Sequence, residues 1–371
     1  MPNIKVVHLT SVHPRYDTRV FHKMCISMAN QGFDVTLVVA DGKGNSIESG
    51  VNIIDVGKFD SRFDRVVKAT KKVYQKGLEL NGDLYHLHDP ELLHIGLKLK
   101  RAGKQVIFDS HEDVPKQLLG KPYLNKPILW MLSKAYENYE KFACSRFNGI
   151  ITATSFIQEK FEAINSKVIA INNFPILKTK KTAEDWNIKK KQVCYVGSLT
   201  RVRGIVEICS AMEQLETDVV LELAGNFGER NLEENIRNLK GWEKVNAIGY
   251  ADRSKVDEIL AQSMAGLVTL HPLINYLDAL PVKMFEYMNA GIPVIASDFP
   301  LWREIVEQSN CGILVDPLNP EAIAKAIDFI VMNPDKAKEM GLNGQKAVHK
   351  MYNWQNEELK MIDFYQEILN N

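Results

Sequence analysis

Short unbroken apolar runs alternate with longer amphipathic stretches along almost the whole chain, and this alternation most limits its architecture. IKVVHL (4–9), VTLVVA (35–40), VNIIDV (51–56), LYHLH (84–88), QVIFDS (105–110), GIITA (149–153) and KVIAI (167–171) form a first series. VCYVGSL (193–199), VVLELAG (219–225), VNAIGY (245–250), AGLVTL (265–270), VIA (294–296) and GILVD (312–316) form a second. Runs this short, without an inside–outside alternation, suit strands covered on both faces. Helical patterns fall between them, near 18–30, 62–80, 90–101, 126–146, 204–215, 229–239, 253–262, 300–308, 319–331 and 334–350. Strands alternating with helices predict doubly wound parallel sheets.

The series is interrupted once. NNFPILKTKKTAEDWNIKKKQ (172–192) has a proline, two lysine clusters and little apolar periodicity, and reads as a linker with solvated lysines. Two Rossmann-like domains follow, 1–172 and 193–352, joined by 173–192, with a last amphipathic helix in 353–371. A chain of 371 residues suits that division. Lys+Arg and Asp+Glu both total 46, so no global charge attracts nucleic acid. The five cysteines are scattered, with no C-x-x-C, which argues against a disulfide framework and against a zinc site. No apolar run approaches the length of a membrane span. The chain enters a strand at Ile4 with no signal peptide before it, so a cytoplasmic location is expected.

Several stretches carry chemistry. HPLINYLDALPVKMFEYMNAGIPVIASDFP (271–300) reads as turn, helix, glycine stop and buried strand. Pro281 suits a first helical turn, Gly291 a left-handed stop, and Pro293 blocks continuation. Asp278 precedes the helix and Glu286 lies within it. Val282 and Phe285 share a face expected to be core; Lys283, Glu286 and Tyr287 share another. That second face sets a cation and an anion beside a helix N-terminus, which binds phosphate well. The plain alternative is an exposed Lys283–Glu286 ion pair, worth ~0.2–0.5 kcal/mol. In YVGSLTRVRGI (195–205), Gly197 admits close approach of a ligand, and Arg201 and Arg203 open a helix where guanidinium groups can grip a diphosphate. Surface charges are the alternative.

LHDPEL (87–92) and FDSHEDVP (108–115) follow strands of the first domain, so His88, His111 and Glu112 should open onto a ligand crevice. HPRYDTRVFHK (13–23) adds His13, Arg15 and Arg19, while Asp17 can cap the next helix. Gly249 and Tyr250 follow another strand; Tyr250 packs on a ligand or into the core. KPYLNKPILWMLSKAYENYEKF (121–142) suits core packing with a charged outer face better than a lipid-facing helix.

Read together, the acid-x7-acid spacing of Asp278 and Glu286 and the arginine–glycine pair Arg203–Gly204 resemble retaining glycosyltransferases of family 4, of GT-B fold. The segment LPVKMFEYMNAG resembles a bacterial surface-polysaccharide branch. The resemblance implies two Rossmann-like domains facing each other across a cleft, with the last helix crossing back to the first. It implies a nucleotide-diphosphate sugar donor, most simply a UDP-sugar, and a glycan or lipid-linked glycan acceptor. By it, Glu286 holds the donor ribose and Asp278 lies by the transferred sugar. Gly197, Ser198, Arg201, Arg203 and Lys283 meet the diphosphate, Gly249 and Tyr250 the base, and His111 the reacting sugar. His13, Arg15, Arg19, His88 and Glu112 are then acceptor-side candidates. Two departures stand out: the first acid is usually Glu, and Ser198 replaces an arginine, so one diphosphate contact is lost or Arg201 supplies it. With no Asp-x-Asp in the chain, neither metal nor other cofactor is expected. Peripheral attachment to the inner face of the plasma membrane is compatible with a lipid-linked acceptor. A non-hydrolysing epimerase or a non-catalytic nucleotide-sugar-binding subunit would use the same frame.

Overall fold

A computed structural model describes residues 4–120, 125–177 and 186–370. The chain divides into two compact units, Met1–Asn173 with Trp354–Asn371, and Phe174–Asn353. Each is a twisted sheet sandwiched between helices.

The first unit has eight strands: β1 (Lys5–Leu9), β2 (Asp34–Val39), β3 (Ser46–Glu48), β4 (Val51–Asp55), β5 (Leu84–Leu87), β6 (Gln105–Ser110), β7 (Gly149–Thr152) and β8 (Val168–Ala170). Their order is β3-β4-β2-β1-β5-β6-β7-β8. All neighbours are parallel except β3 and β4, an edge hairpin. Sequence reading missed β3, because Ile47 and Glu48 are exposed and carry no burial pattern. The order reverses between β2-β1 and β5-β6, and the loops after β1 and β5 meet at that switch point, where open sheets bind ligands.

The second unit has six parallel strands: β9 (Gln192–Val196), β10 (Val220–Ala224), β11 (Val245–Gly249), β12 (Ala265–Val268), β13 (Val294–Ser297) and β14 (Gly312–Val315). Their order, β11-β10-β9-β12-β13-β14, reverses between β9 and β12. Val193, Tyr195, Leu221, Leu223, Leu267 and Ile295 are buried on one side of this sheet with Ile205, Ile208 and Met212 of the helix Ile205–Glu213. At about 1.5–3 kcal/mol for each large apolar side chain buried, such a layer supplies the main force holding the loops at the strand ends.

The helix Trp354–Leu369 packs on the first unit. Met361, Ile362, Phe364, Tyr365 and Ile368 share a core with Val6, Leu84, Ile107 and Ile151. The five cysteines are buried and unbonded. The linker lysines are not all solvated: Lys189 is half-buried and donates to the Leu260 carbonyl at 3.1 Å, and burial lowers its pKa to about 8. Residues 178–185 of that linker lie outside the described residues.

Candidate functional site

In the second unit, the carboxyl ends of β9, β10 and β11 form nested glycine turns. Gly197 N–H donates to the Ala224 carbonyl (2.9 Å), Gly225 N–H to that of Gly249 (2.7 Å), and Gly228 N–H to that of Leu199 (2.9 Å). A Cβ at Gly225 would stand 1.8 Å from the Gly197 oxygen, so only glycine lets these turns stack. LAGNFG (223–228) is therefore part of the frame.

Two cations converge on Gly197. A Cβ there would lie 3.0 Å from Lys283 Nζ and 3.7 Å from Arg203 Nη1, in a backbone conformation (φ +134°) that favours glycine. Lys283 reaches this point from the helix Val282–Asn289 that follows β12, and Arg203 from the short turn Arg201–Arg203 after β9. Lys283 Nζ sits 3.6 Å from the centre of the Tyr195 ring. It is buried and has no hydrogen-bond partner among the described residues. Burial, and then the Arg203 charge beside it, push its pKa well below the usual lysine value. An anion placed here would reverse both effects.

The alternative, an exposed Lys283–Glu286 ion pair, does not form. Glu286 Oε1 accepts instead from Arg253 Nη1 at 2.5 Å, a partner from the helix Arg253–Gln262 that nothing in the local spacing marks. The helix faces also differ from expectation. Val282 is only half-buried, and Tyr287 is core: its ring fills the space left by Gly266, and its hydroxyl accepts from Val196 N–H at 2.9 Å. Asp278 is half-buried in the turn before the helix. Ser198 and Arg201 are exposed, and Arg201 N–H donates to Glu229 Oε1 at 2.7 Å. Gly249 ends β11 with φ +74°, and Tyr250 beside it is 77% exposed, so core packing of that ring is ruled out.

The first unit carries a cavity of about 660 Å³ at the ends of β1, β5 and β6. His13, His88, His111 and Glu112 line it, as do Glu91, Tyr136 and Tyr139. His13 Nδ1 lies 2.7 Å from Asp89 Oδ1, and hydrogen bonding to this carboxylate raises its pKa against the opposing effect of burial. Burial pushes His111 down to about 4, so it is a neutral imidazole near pH 7.

Two acceptor-side candidates are corrected. Arg15 is buried and grips both oxygens of Asp41, at 2.7 and 2.6 Å. Arg19 is buried and grips both oxygens of Asp109, at 3.0 and 2.8 Å. Both guanidinium groups brace the fold, and their partners lie too far along the chain to be paired from sequence. His88 is fully buried. Its Nδ1 faces Asp109 at 3.3 Å and its Nε2 faces His8 Nδ1 at 2.9 Å. Ionised Asp109 makes His88 Nδ1 the donor.

The helix Lys126–Cys144 departs from the core-packing expectation. Of the apolar residues 128–132, only Leu129 is buried; Ile128, Trp130, Met131 and Leu132 are exposed. Leu124 and the start of that segment, 121–124, lie outside the described residues. No helix among the described residues is long and apolar enough to cross a membrane.

Comparison with known proteins places this geometry. The family model "Glycosyltransferase Family 4" matches residues 18–174, and "Glycosyl transferases group 1" matches 178–347. An uncharacterized glycosyltransferase of Haemophilus influenzae is 23% identical over 335 residues, 87% of this chain and 88% of its own. Another, from Methanocaldococcus jannaschii, is 24% identical over 226 residues, 58% of this chain and 56% of its own. Sucrose-phosphate synthase from Thermosynechococcus elongatus superposes with TM-score 0.79 at 17% identity, covering 99% of each chain. Anabaena HepE, solved in complex with UDP-glucose, superposes with TM-score 0.71 at 15% identity, covering 98% of this chain and 100% of its own. With one family model on each unit and two parallel α/β sheets of GT-B type, the chain belongs to the family 4, group 1 glycosyltransferases.

Proposed function

We propose that the protein is a retaining, metal-independent glycosyltransferase that moves a sugar from a UDP-sugar to a glycan or lipid-linked glycan in cell-surface polysaccharide synthesis. The observation that carries this reading is Lys283, whose buried amine has no hydrogen-bond partner among the described residues, set over the Tyr195 ring and beside Arg203 at a glycine turn. Two such cations repel each other until an anion joins them. A nucleotide diphosphate suits them, and the HepE complex with UDP-glucose supports the choice of nucleotide.

In this reading Arg203 and Lys283 neutralise the diphosphate as the bond to the sugar breaks, acting as preorganised electrostatic stabilisers. They fill the role that a divalent ion plays elsewhere. Glu286, oriented by Arg253, accepts from the ribose hydroxyls, and Tyr250 packs on the base. Asp278 lies by the transferred sugar. The acceptor hydroxyl attacks on the face from which the diphosphate departs, and a diphosphate oxygen takes its proton, so configuration is retained. His13, His111 and Glu112 belong to the acceptor side. The exposed Trp130 and Met131 give the first unit an apolar surface suited to a lipid-linked acceptor at a membrane.

Thermal unfolding with UDP, GDP and their sugars tests the donor. A ligand at 100 times its Kd adds about 2.7 kcal/mol. Stabilisation by UDP and a UDP-sugar is expected, and none by either would refute the donor assignment. Product anomeric configuration by NMR tests retention.

A further inference from the structure

Tyr195 is the last-but-one residue of β9 and is fully buried in the apolar layer behind the glycine turns. Packing at that position asks for a ring and has no use for a hydroxyl, which costs free energy to bury unless it is bonded. The Tyr195 hydroxyl is bonded at the donor site. It donates to the Ser198 carbonyl at 3.0 Å, within the turn that Gly197 opens. It also takes a hydrogen bond from the Arg203 side chain. Burial pushes the phenol up to about 12, while the charge and hydrogen bond of Arg203 pull the other way.

The ring serves the second cation. Lys283 Nζ stands 3.6 Å from its centre and has no hydrogen-bond partner among the described residues. The negative face of an aromatic ring attracts an ammonium most strongly where water is excluded. Burial and then Arg203 oppose the Lys283 charge, while Glu286 and Cys194 favour it. One side chain thus meets both cations and the turn on which they converge. Like charges that would drift apart in a loose site are held at set places before an anion arrives, which is what preorganisation requires.

We propose that Tyr195 is the positioning residue of this anion site, its ring fixing the Lys283 ammonium and its hydroxyl fixing Arg203 and the turn at Gly197 and Ser198. Naming the anion a donor diphosphate rests on the transferase reading; the placement of the cations is measured without ligand. Two variants separate ring from hydroxyl. Tyr195→Phe keeps the ring face and removes the hydroxyl, and Tyr195→Leu removes both. Calorimetric titration of the full chain would compare UDP with uridine, which has the base and ribose and lacks the diphosphate. Tyr195→Phe should weaken UDP by about threefold to tenfold, the worth of one hydrogen bond, and leave uridine as in the parent. A change that merely loosened the fold would weaken both. In Arg203→Ala the same hydroxyl loss should cost UDP less, because the partner it positions is gone. Carbon NMR of lysine labelled at the ε-carbon, with the Lys283 signal identified by its loss in Lys283→Met, would follow the amine in ligand-free protein. Its titration midpoint should fall further in Tyr195→Leu, where the ring no longer favours the charged form, and stay near the parent value in Tyr195→Phe. Equal weakening of UDP and uridine, unaltered UDP affinity in Tyr195→Phe, or a Lys283 midpoint that Tyr195→Leu does not lower would overturn the proposal. Should Tyr195→Leu fail to fold, the Tyr195→Phe titrations decide alone. If the parent binds no UDP while the Lys283 midpoint falls as described, the donor reading is overturned and this one stands.

Discussion

The Lys283 amine, buried beside a guanidinium without a hydrogen-bond partner among the described residues, is a cost that the folded protein carries. Lys283→Met keeps the aliphatic stem and removes the charge. It should therefore raise the denaturation midpoint of the ligand-free protein, by ~1 kcal/mol from relief of a buried unpaired polar group. The same change should weaken UDP binding by ~1.5–3 kcal/mol, roughly ten- to a hundredfold. Opposite signs in the two measurements are the mark of a ligand site; loss of both would make Lys283 a structural residue. Glu286→Ala removes the carboxylate proposed to accept from the donor ribose and leaves Arg253 with Asp257. Its effect on UDP-sugar affinity should be ~1.5–3 kcal/mol, while 2′,3′-dideoxy-UDP should bind parent and variant alike, since it lacks the hydroxyls in question. Calorimetric titration reads both.

At the scale of elements, the terminal helix Trp354–Leu369 is tied to the sheet by shape. A Cβ at Gly149 of β7 would stand 2.6 Å from the Phe364 ring and 3.0 Å from Ile368. Gly149→Ala should therefore push the helix off its seat and cost ~1–3 kcal/mol of overpacking, read as a lower unfolding midpoint. Phe364→Leu in the same chain should recover part of the loss by vacating the space. Tyr365 of this helix also bonds the fully buried His86 of β5 at 2.5 Å. His8 and His86 are cross-strand partners on β1 and β5, so they share the face that the helix covers. Histidines 78 residues apart acquire one environment through register alone.

For the whole molecule, the buried histidines set an acid limit. Burial lowers the pKa of His8 and His86 well below the ordinary 6.5, and of His111 to about 4. Below about 6.5 the unfolded chain takes up protons that the folded one refuses, so stability falls as pH drops. Asp89 and Asp109, held in the charged form by their partners, lose stability in the same direction at lower pH. His13 opposes this, because its raised pKa makes its contribution largest in acid and lost as pH rises. Four lowered histidines, His94 among them, outnumber it. Thermal unfolding between pH 7.5 and 5 should therefore show a falling midpoint, and His8→Asn with His86→Gln should flatten the slope. A midpoint that stays level from pH 7.5 to 5 would contradict the burial argument.

Local pattern carried the architecture. Unbroken apolar runs have one stable use, as strands covered on both sides, and Gly291 and Pro293 punctuate a helix whatever surrounds them, so two parallel α/β sheets were readable residue by residue. Gly197, Arg203 and Lys283 could be singled out because glycine at a strand end and cations beside a helix start have few bland uses. What no spacing contains is which charge answers which. Arg253 reaches Glu286 across 33 residues, and Arg19 reaches Asp109 across 90. Arg19 with Asp109, and likewise Arg15 with Asp41, are thereby taken out of the first unit's binding surface, while Arg253 takes Glu286 and leaves Lys283 beside Arg203 without a hydrogen-bond partner among the described residues. The strength of a charge pair depends on its separation in space and on the dielectric between its members, and both quantities exist only once the chain has folded.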